Sequence, residues 1–173
     1  MSFLHKMFSG DVTAEDPRRF VMETMLAAME ADSDVTEEEM EVFERNLEEH
    51  ELFSGLTSDA RSRLVDIAAD AIRDAGGGLL RVGAVAMGLP SRGHRLTAYA
   101  MAVEVCVSDA DLPEAEIAYL EALQKALALG DEEARALFEG ARQKSGLKTV
   151  EERAAAMRKL MPRFVDSMAL MAI

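Results

Sequence analysis

The chain has 173 residues, 49% of them apolar and 5% aromatic, with no tryptophan, one cysteine and a formal net charge of −13. That length suits one domain with a sizeable core, and a lone cysteine excludes an intramolecular disulfide framework. The charge argues against nucleic acid and anionic membranes, whose phosphates are met by Lys and Arg; cations and basic protein surfaces match it better.

In chain order, Asp16 is placed to cap a first helix with Pro17 in its first turn. Phe20, Met22, Met25, Leu26 and Met29 give that helix an apolar face, and it is expected to end near Asp32. Thr36 and Glu39 form a capping box for a second helix, whose buried stripe is read as Met40, Phe43 and Leu47. A third helix starts near Thr57 or Ser58, carries Leu64, Ile67, Ala68, Ala71 and Ile72, and stops at Gly76-Gly77-Gly78. Leu79 to Leu89 reads as a short helix ended by Pro90. A helix from about Ser91 carries Leu96, Tyr99, Ala100, Val103 and Val107. The next begins at Pro113 and buries Ile117, Leu120, Leu123 and Leu127. Asp131 caps another, anchored by Leu137 and Phe138. Thr149 and Glu152 form a capping box for the last helix, which Pro162 kinks or restarts. No strand pattern competes. The fold class is therefore all-α: a compact bundle of about seven to eight helices, with a tail over 1–12 and one domain over 13–173.

The helix–turn–helix around EADSDVTEEEM matches that around VSDADLPEAEI at a constant offset of 77 residues. Asp32 pairs with Asp109, Asp34 with Asp111, Glu37 with Glu114, Glu39 with Glu116, and Leu26 with Val103. The match then drifts by about three residues, so that Thr57 corresponds to Asp131 and Leu64 to Phe138. Two copies are too few for an open solenoid and predict a closed bundle with a pseudo-two-fold repeat, its halves about 15–90 and 91–173.

Glu30 to Glu51 holds eleven acids and one arginine. Glutamates in a first helical turn offset the helix dipole and accept from its free N–H groups, which accounts for Glu37–Glu39, Glu114 and Glu116. The aspartates precede the caps and lie in the turns, where converging carboxylates suit a hard cation such as Ca²⁺. Neither turn is an EF-hand loop: counted from Asp32, position 6 is Glu37 rather than Gly, and position 12 is Phe43 rather than Glu.

The two stretches MLAAMEADSDVTEEEMEVFERNL and AMAVEVCVSDADLPEAEIAYLEAL resemble two copies of the TerB-type motif, an apolar helix followed by A-D-G-x-[VI]-[ST]-x-x-E and an amphipathic helix. The resemblance spans about residues 15–145. It implies an all-helical, internally duplicated fold associated with tellurite and stress resistance, and an acidic cluster linked to divalent metal binding. By that resemblance Asp32, Asp34 and Glu37 in the first copy, and Asp109, Asp111 and Glu114 in the second, are the candidate metal ligands, for Ca²⁺ or another divalent cation. Ser33 and Ala110 stand where the motif often has Gly, and Pro113 replaces its Ser/Thr cap.

Other features read more plainly. Cys106 lies in an apolar run and reads as a buried small hydrophobe. Glu104 is expected to reach its helix edge and meet a Lys or Arg. Asp66, Asp70 and Asp74 recur at i+4 as a solvated face. His5, His50 and His94 match no zinc spacing, and GGGLL lacks the Lys of a phosphate loop. Phe3, Leu4, Met7 and Phe8 form a short stripe expected to dock on the domain. MPRFVDSMALMAI fits a core or a dimer seam, which leaves a homodimer open. No signal peptide or membrane span is evident, so a cytoplasmic location is expected. The resulting expectation is a non-enzymatic TerB-like module. It binds a divalent cation and acts through other proteins, among them tellurite-resistance components, in a tellurite, metal or general stress response. The alternative is a metal-independent interaction or structural module. A carboxylate hydrolase ranks last, because these acids crowd at solvent-facing helix starts.

Overall fold

A computed structural model describes residues 12–108 and 112–145. Among these residues there are seven α-helices and no strand: α1 Pro17–Met29, α2 Glu37–Glu49, α3 Ser58–Ala75, α4 Val82–Gly88, α5 Arg92–Cys106, α6 Glu114–Ala126 and α7 Asp131–Ser145. Two 3₁₀ turns, Glu51–Phe53 and Gly78–Leu80, complete the connections. No helix of the described residues is long and apolar enough to cross a membrane. The stripe at Phe3–Phe8, the Thr149 helix, the Met-rich terminal stretch and both aspartates Asp109 and Asp111 lie outside the described residues.

The helix starts follow from local chemistry. Asp16 accepts from the backbone N–H of Arg18 at 2.9 Å and caps α1. Its carboxylate also takes a two-pronged contact from the Arg18 guanidinium, with Nη2 at 2.6 Å. Burial pushes the Asp16 carboxyl up, but the hydrogen bonds and charge of Arg18 outweigh it and hold the group below the usual 3.8. A depressed folded-state pKa stabilises the fold above the unfolded value, and that contribution is lost as pH falls through the folded value. Asp16→Ala should therefore cost about 1 kcal/mol at neutral pH and nothing in strong acid, as read from urea melts at the two pH values.

Thr36 and Glu39 make the expected capping box: Thr36 Oγ1 accepts from Glu39 N–H at 3.2 Å, and a Glu39 oxygen accepts from Thr36 N–H at 2.8 Å. Thr57 caps α3, which ends on Gly76 at φ 83°, a left-handed conformation natural to glycine. Ser91 caps α5 through His94 N–H. At α7 the expectation shifts by one residue. Asp131 is the first helical residue rather than the cap, and Glu133 reaches back to accept from Gly130 N–H at 3.0 Å. The first helix also ends at Met29, three residues short of Asp32.

Helices α1 and α5 form the centre. Each packs chiefly on the other; α3 lies against α1 and α7 against α5, while α2 packs on α5 and α6 is shared between α5, α1 and α4. Val21, Met22, Met25 and Ala28 of α1 and Ala98, Tyr99, Ala102 and Val105 of α5 have no exposure at all. Small residues at this crossing let the backbones approach, and Thr24 ties them: its hydroxyl lies 2.7 Å from the carbonyl of Val21 and 3.0 Å from that of Ala98. Helix α1 is thus buried nearly all round, and α5 is so from Ala98 onward, beyond the single stripes that periodicity assigns. The 3₁₀ turn after α3 is tucked just as tightly, since a Cβ on Gly78 would come within 2.3 Å of Ala27 Cβ.

Candidate functional site

The turn before α2 is built from its own side chains. Asp32 Oδ1 accepts from Asp34 N–H at 3.0 Å, an Asx turn, while Ser33 between them takes φ 68°. A left-handed serine is strained relative to glycine, which explains why glycine suits this position of the motif. Asp32 is half-buried, and Asp34 and Glu37 are exposed. The aspartate that seemed to lack a structural role therefore has one. In the second acidic stretch Glu114 is exposed at the first position of α6. Among the described residues, no three His, Cys, Asp or Glu side chains are grouped so as to hold a metal ion.

The motif glutamates behave otherwise. Glu39 and Glu116 are 2% and 4% exposed, whereas Met40, expected in the buried stripe, is 40% exposed and Ile117 is half-buried. In both helices the buried face is rotated by one residue from the apolar reading, because the third helical residue must turn inward. Glu39 reaches back to its cap, and Glu116 meets Cys106. Beneath it, Val42, Phe43, Asn46 and Leu47 complete the buried face of α2.

Both buried carboxylates act on one atom. Burial pushes the Cys106 thiol well above its usual range, and the charge and hydrogen bond of Glu116 and the charge of Glu39 push it further. Helices α2 and α6 both pack on α5, and a buried glutamate from the first turn of each bears on Cys106 at its end. A thiol so held is no nucleophile, so Cys106 should resist a thiol-specific reagent in the native protein and react fully in denaturant. Equal rates in the two conditions would contradict its burial.

A polar groove runs beside this point. It has a volume of about 170 Å³ between α2, the end of α5 and α7, and its walls include Glu38, Glu41, Val42, Arg45, Glu104 and Lys144. Glu104 reaches its helix edge as expected and meets Lys144 Nζ at 2.6 Å. The α2 wall is strongly acidic, exposing six glutamates and one arginine along 13 residues.

Two features escaped the sequence reading. Glu23, wholly buried in α1, accepts from Arg81 Nε at 2.6 Å and Nη2 at 3.2 Å, and Arg19 Nη1 stands 3.5 Å away. Its signal is the one applied to Glu104, an acid inside an apolar run, but its partner lies 58 residues away. His50 and His94 also line one open cavity of about 650 Å³. The Nδ1 of His50 accepts from Leu52 N–H at 3.1 Å, which leaves the proton on Nε2. As expected, the Asp70 face is solvated, with Asp70 paired to Arg73 on the surface.

No protein-family model, curated protein or solved structure matches this chain.

Proposed function

We propose that the chain is a non-enzymatic TerB-like module. It binds a divalent cation, Ca²⁺ in the first instance, through the turns before α2 and α6. It takes part in a tellurite, metal or general stress response through proteins that meet its acidic α2 face. The cation reading draws on Asp32, Asp34 and Glu37 in one turn and Asp109, Asp111 and Glu114 in the other. The observation that carries it is the turn before α2, where Asp32 closes an Asx turn beside exposed Asp34 and Glu37, while α2 and α6 both pack on α5; one turn alone is a poor cage for a hard cation.

A duplicated origin of the two halves belongs to the same proposal. Its support is the matched packing, with α2 on α5 as α6 on α1, and α3 on α1 as α7 on α5. Equivalent positions are also buried alike: Met22 and Tyr99, Glu39 and Glu116, Ala60 and Ala134, Leu64 and Phe138.

Calorimetry on metal-stripped protein tests the cation reading. Ca²⁺ should give binding heat with the wild type and none with Asp32→Asn/Asp34→Asn. Asn at position 32 keeps an oxygen for the Asx turn, so the fold is preserved. Absence of heat in both proteins would contradict it. The metal-independent alternative has its own observation, the structural work of Asp32 and Glu39 in turn and cap.

A further inference from the structure

We propose that the exposed face of α4 and of the 3₁₀ turn before it is a two-fold contact between copies of this chain. Three observations meet on that face.

The first is its chemistry. Arg81, between the turn Gly78–Leu80 and α4, keeps right-handed helical backbone angles, φ −94° and ψ −15°, so the two run on as one element. Over residues 78–90 the exposed positions are Leu79, Leu80, Gly83, Met87 and Pro90, and none of them carries a polar side chain. Leu79, Leu80 and Met87 are 53%, 72% and 86% exposed. A surface helix ordinarily sets charged or polar residues on its outer face. Large apolar side chains gathered on one short element mark a contact surface, whereas a single scattered one does not.

The second is symmetry. Gly83 stands midway, with Leu79 four residues before it and Met87 four after, the spacing that puts all three on one face of a helix. A Cβ on Gly83 would meet nothing within 4 Å, so the midpoint is open as well as bare. A two-fold contact uses that layout, because residue i meets residue j of the copy and j meets i. With the axis at Gly83, two α4 helices cross antiparallel where no side chain holds them apart. Met87 of each then lies over Leu79 and Leu80 of the other. Leu79 also borders a cleft of about 270 Å³ whose walls include Ala27, Ala31, Ala115 and Ala118, with exposed Glu30 beside them. A methionine side chain adapts to such a gap. The face thus carries both the projection and the recess of a self-complementary contact. An unrelated partner would require neither that balance nor the bare midpoint.

The third is charge. The chain holds 32 Asp and Glu, yet none falls between Ala75 and Val103, a stretch that carries Arg81, Arg92 and Arg95. Copies of a chain at −13 repel one another, most strongly where α2 exposes its glutamates. The α4 element sets no acid against acid when two copies meet on it. A dimer doubles the acidic α2 face offered to a partner; that consequence rests on the proposed function, whereas the contact itself does not.

Sedimentation equilibrium of the full chain in EDTA tests it, from about 10 µM to 1 mM, a range that reaches the weak end of specific association. The mass should rise with concentration from 18.9 kDa toward twice that value. Leu80→Lys/Met87→Lys should stay at the monomer mass throughout and melt with the wild type, since both side chains are exposed. The lysines lower the net negative charge, so added repulsion cannot account for the loss. In a second arm, Gly83→Cys treated with a short bis-maleimide should give several times the cross-linked dimer of Ser62→Cys, an exposed position on α3. Cys106 is buried and stays unmodified. A wild type that is monomeric over the whole range, a dimer that survives the two lysines, or cross-linking at position 83 no greater than at 62 would overturn the proposal. Should the lysine variant melt early, the cross-linking decides alone. With no metal present, failure here leaves the cation reading intact, and absence of calcium heat leaves this result intact.

Discussion

Glu23→Ala is expected to destabilise the protein by on the order of 3–5 kcal/mol. The carboxylate has no solvent exposure and receives two hydrogen bonds from Arg81, with Arg19 close behind. Removing it leaves Arg19, 7% exposed and already stacked 3.9 Å from the Phe20 ring, beside Arg81 with only the exposed Glu15 as a counter-charge. Burial already lowers the Arg19 pKa, and the Glu23 charge works against that. The loss is therefore the cost of stranded cations, larger than the worth of an intact pair. It also unties α4, because Arg81 is the residue that joins the 3₁₀ turn Gly78–Leu80 to that helix. At roughly 2–4 °C per kcal/mol for a chain of this size, melting should fall by on the order of 10 °C. Glu23→Gln retains shape and hydrogen-bond capacity and should fall between wild type and Ala. An alanine variant within about 0.5 kcal/mol of wild type, as for an ordinary surface change, would contradict the burial of this triad.

The second large effect is expected at Phe138. This ring is 2% exposed in α7, the helix that packs on central α5. Phe138→Ala removes a large apolar side chain from a close-packed site and should cost about 3–5 kcal/mol in urea unfolding, with the cavity setting where in that range it falls. Leu64 in α3, which the proposed duplication pairs with it, is wholly buried, and Leu64→Ala should cost about 2–5 kcal/mol. Similar losses at the two positions are what equivalent halves require. A loss at one and none at the other would contradict the equivalence.

Most helix boundaries were legible because they are local. Asp16 before Pro17, Thr36 three residues before Glu39, Thr57, Ser91 and the left-handed Gly76 each act within a few residues of their own position. The anchors Leu64, Leu120, Leu123, Leu127 and Phe138 were legible for the same reason, since an apolar residue at helical spacing turns inward. What escaped was polar burial. Periodicity scores Glu39 and Glu116 as solvent-facing and Met40 as core; the structure inverts this, because caps and a thiol offer those glutamates partners inside. Glu23 escaped because its partner is fixed only when α4 comes back across α1. The near-complete burial of α1 and of α5 from Ala98 onward escaped because a single stripe describes a surface helix, whereas these segments have neighbours on several sides. In the site itself, the D-x-D turn could be located from sequence. That Asp32 also closes an Asx turn could not, since it depends on Ser33 adopting a positive φ.

The cation hypothesis is tested most directly by thermal melting at matched ionic strength in EDTA and in Ca²⁺. A ligand held only by the native state, at a hundred times its Kd, adds about 2.7 kcal/mol of stability. For this chain that corresponds to a rise of roughly 5–10 °C in the wild type. The rise should vanish in Asp32→Asn/Asp34→Asn, whose melting in EDTA should match that of the wild type. Identical melting of the wild type in calcium and in EDTA would contradict cation binding and leave the acidic turns as helix starts and a charged face alone.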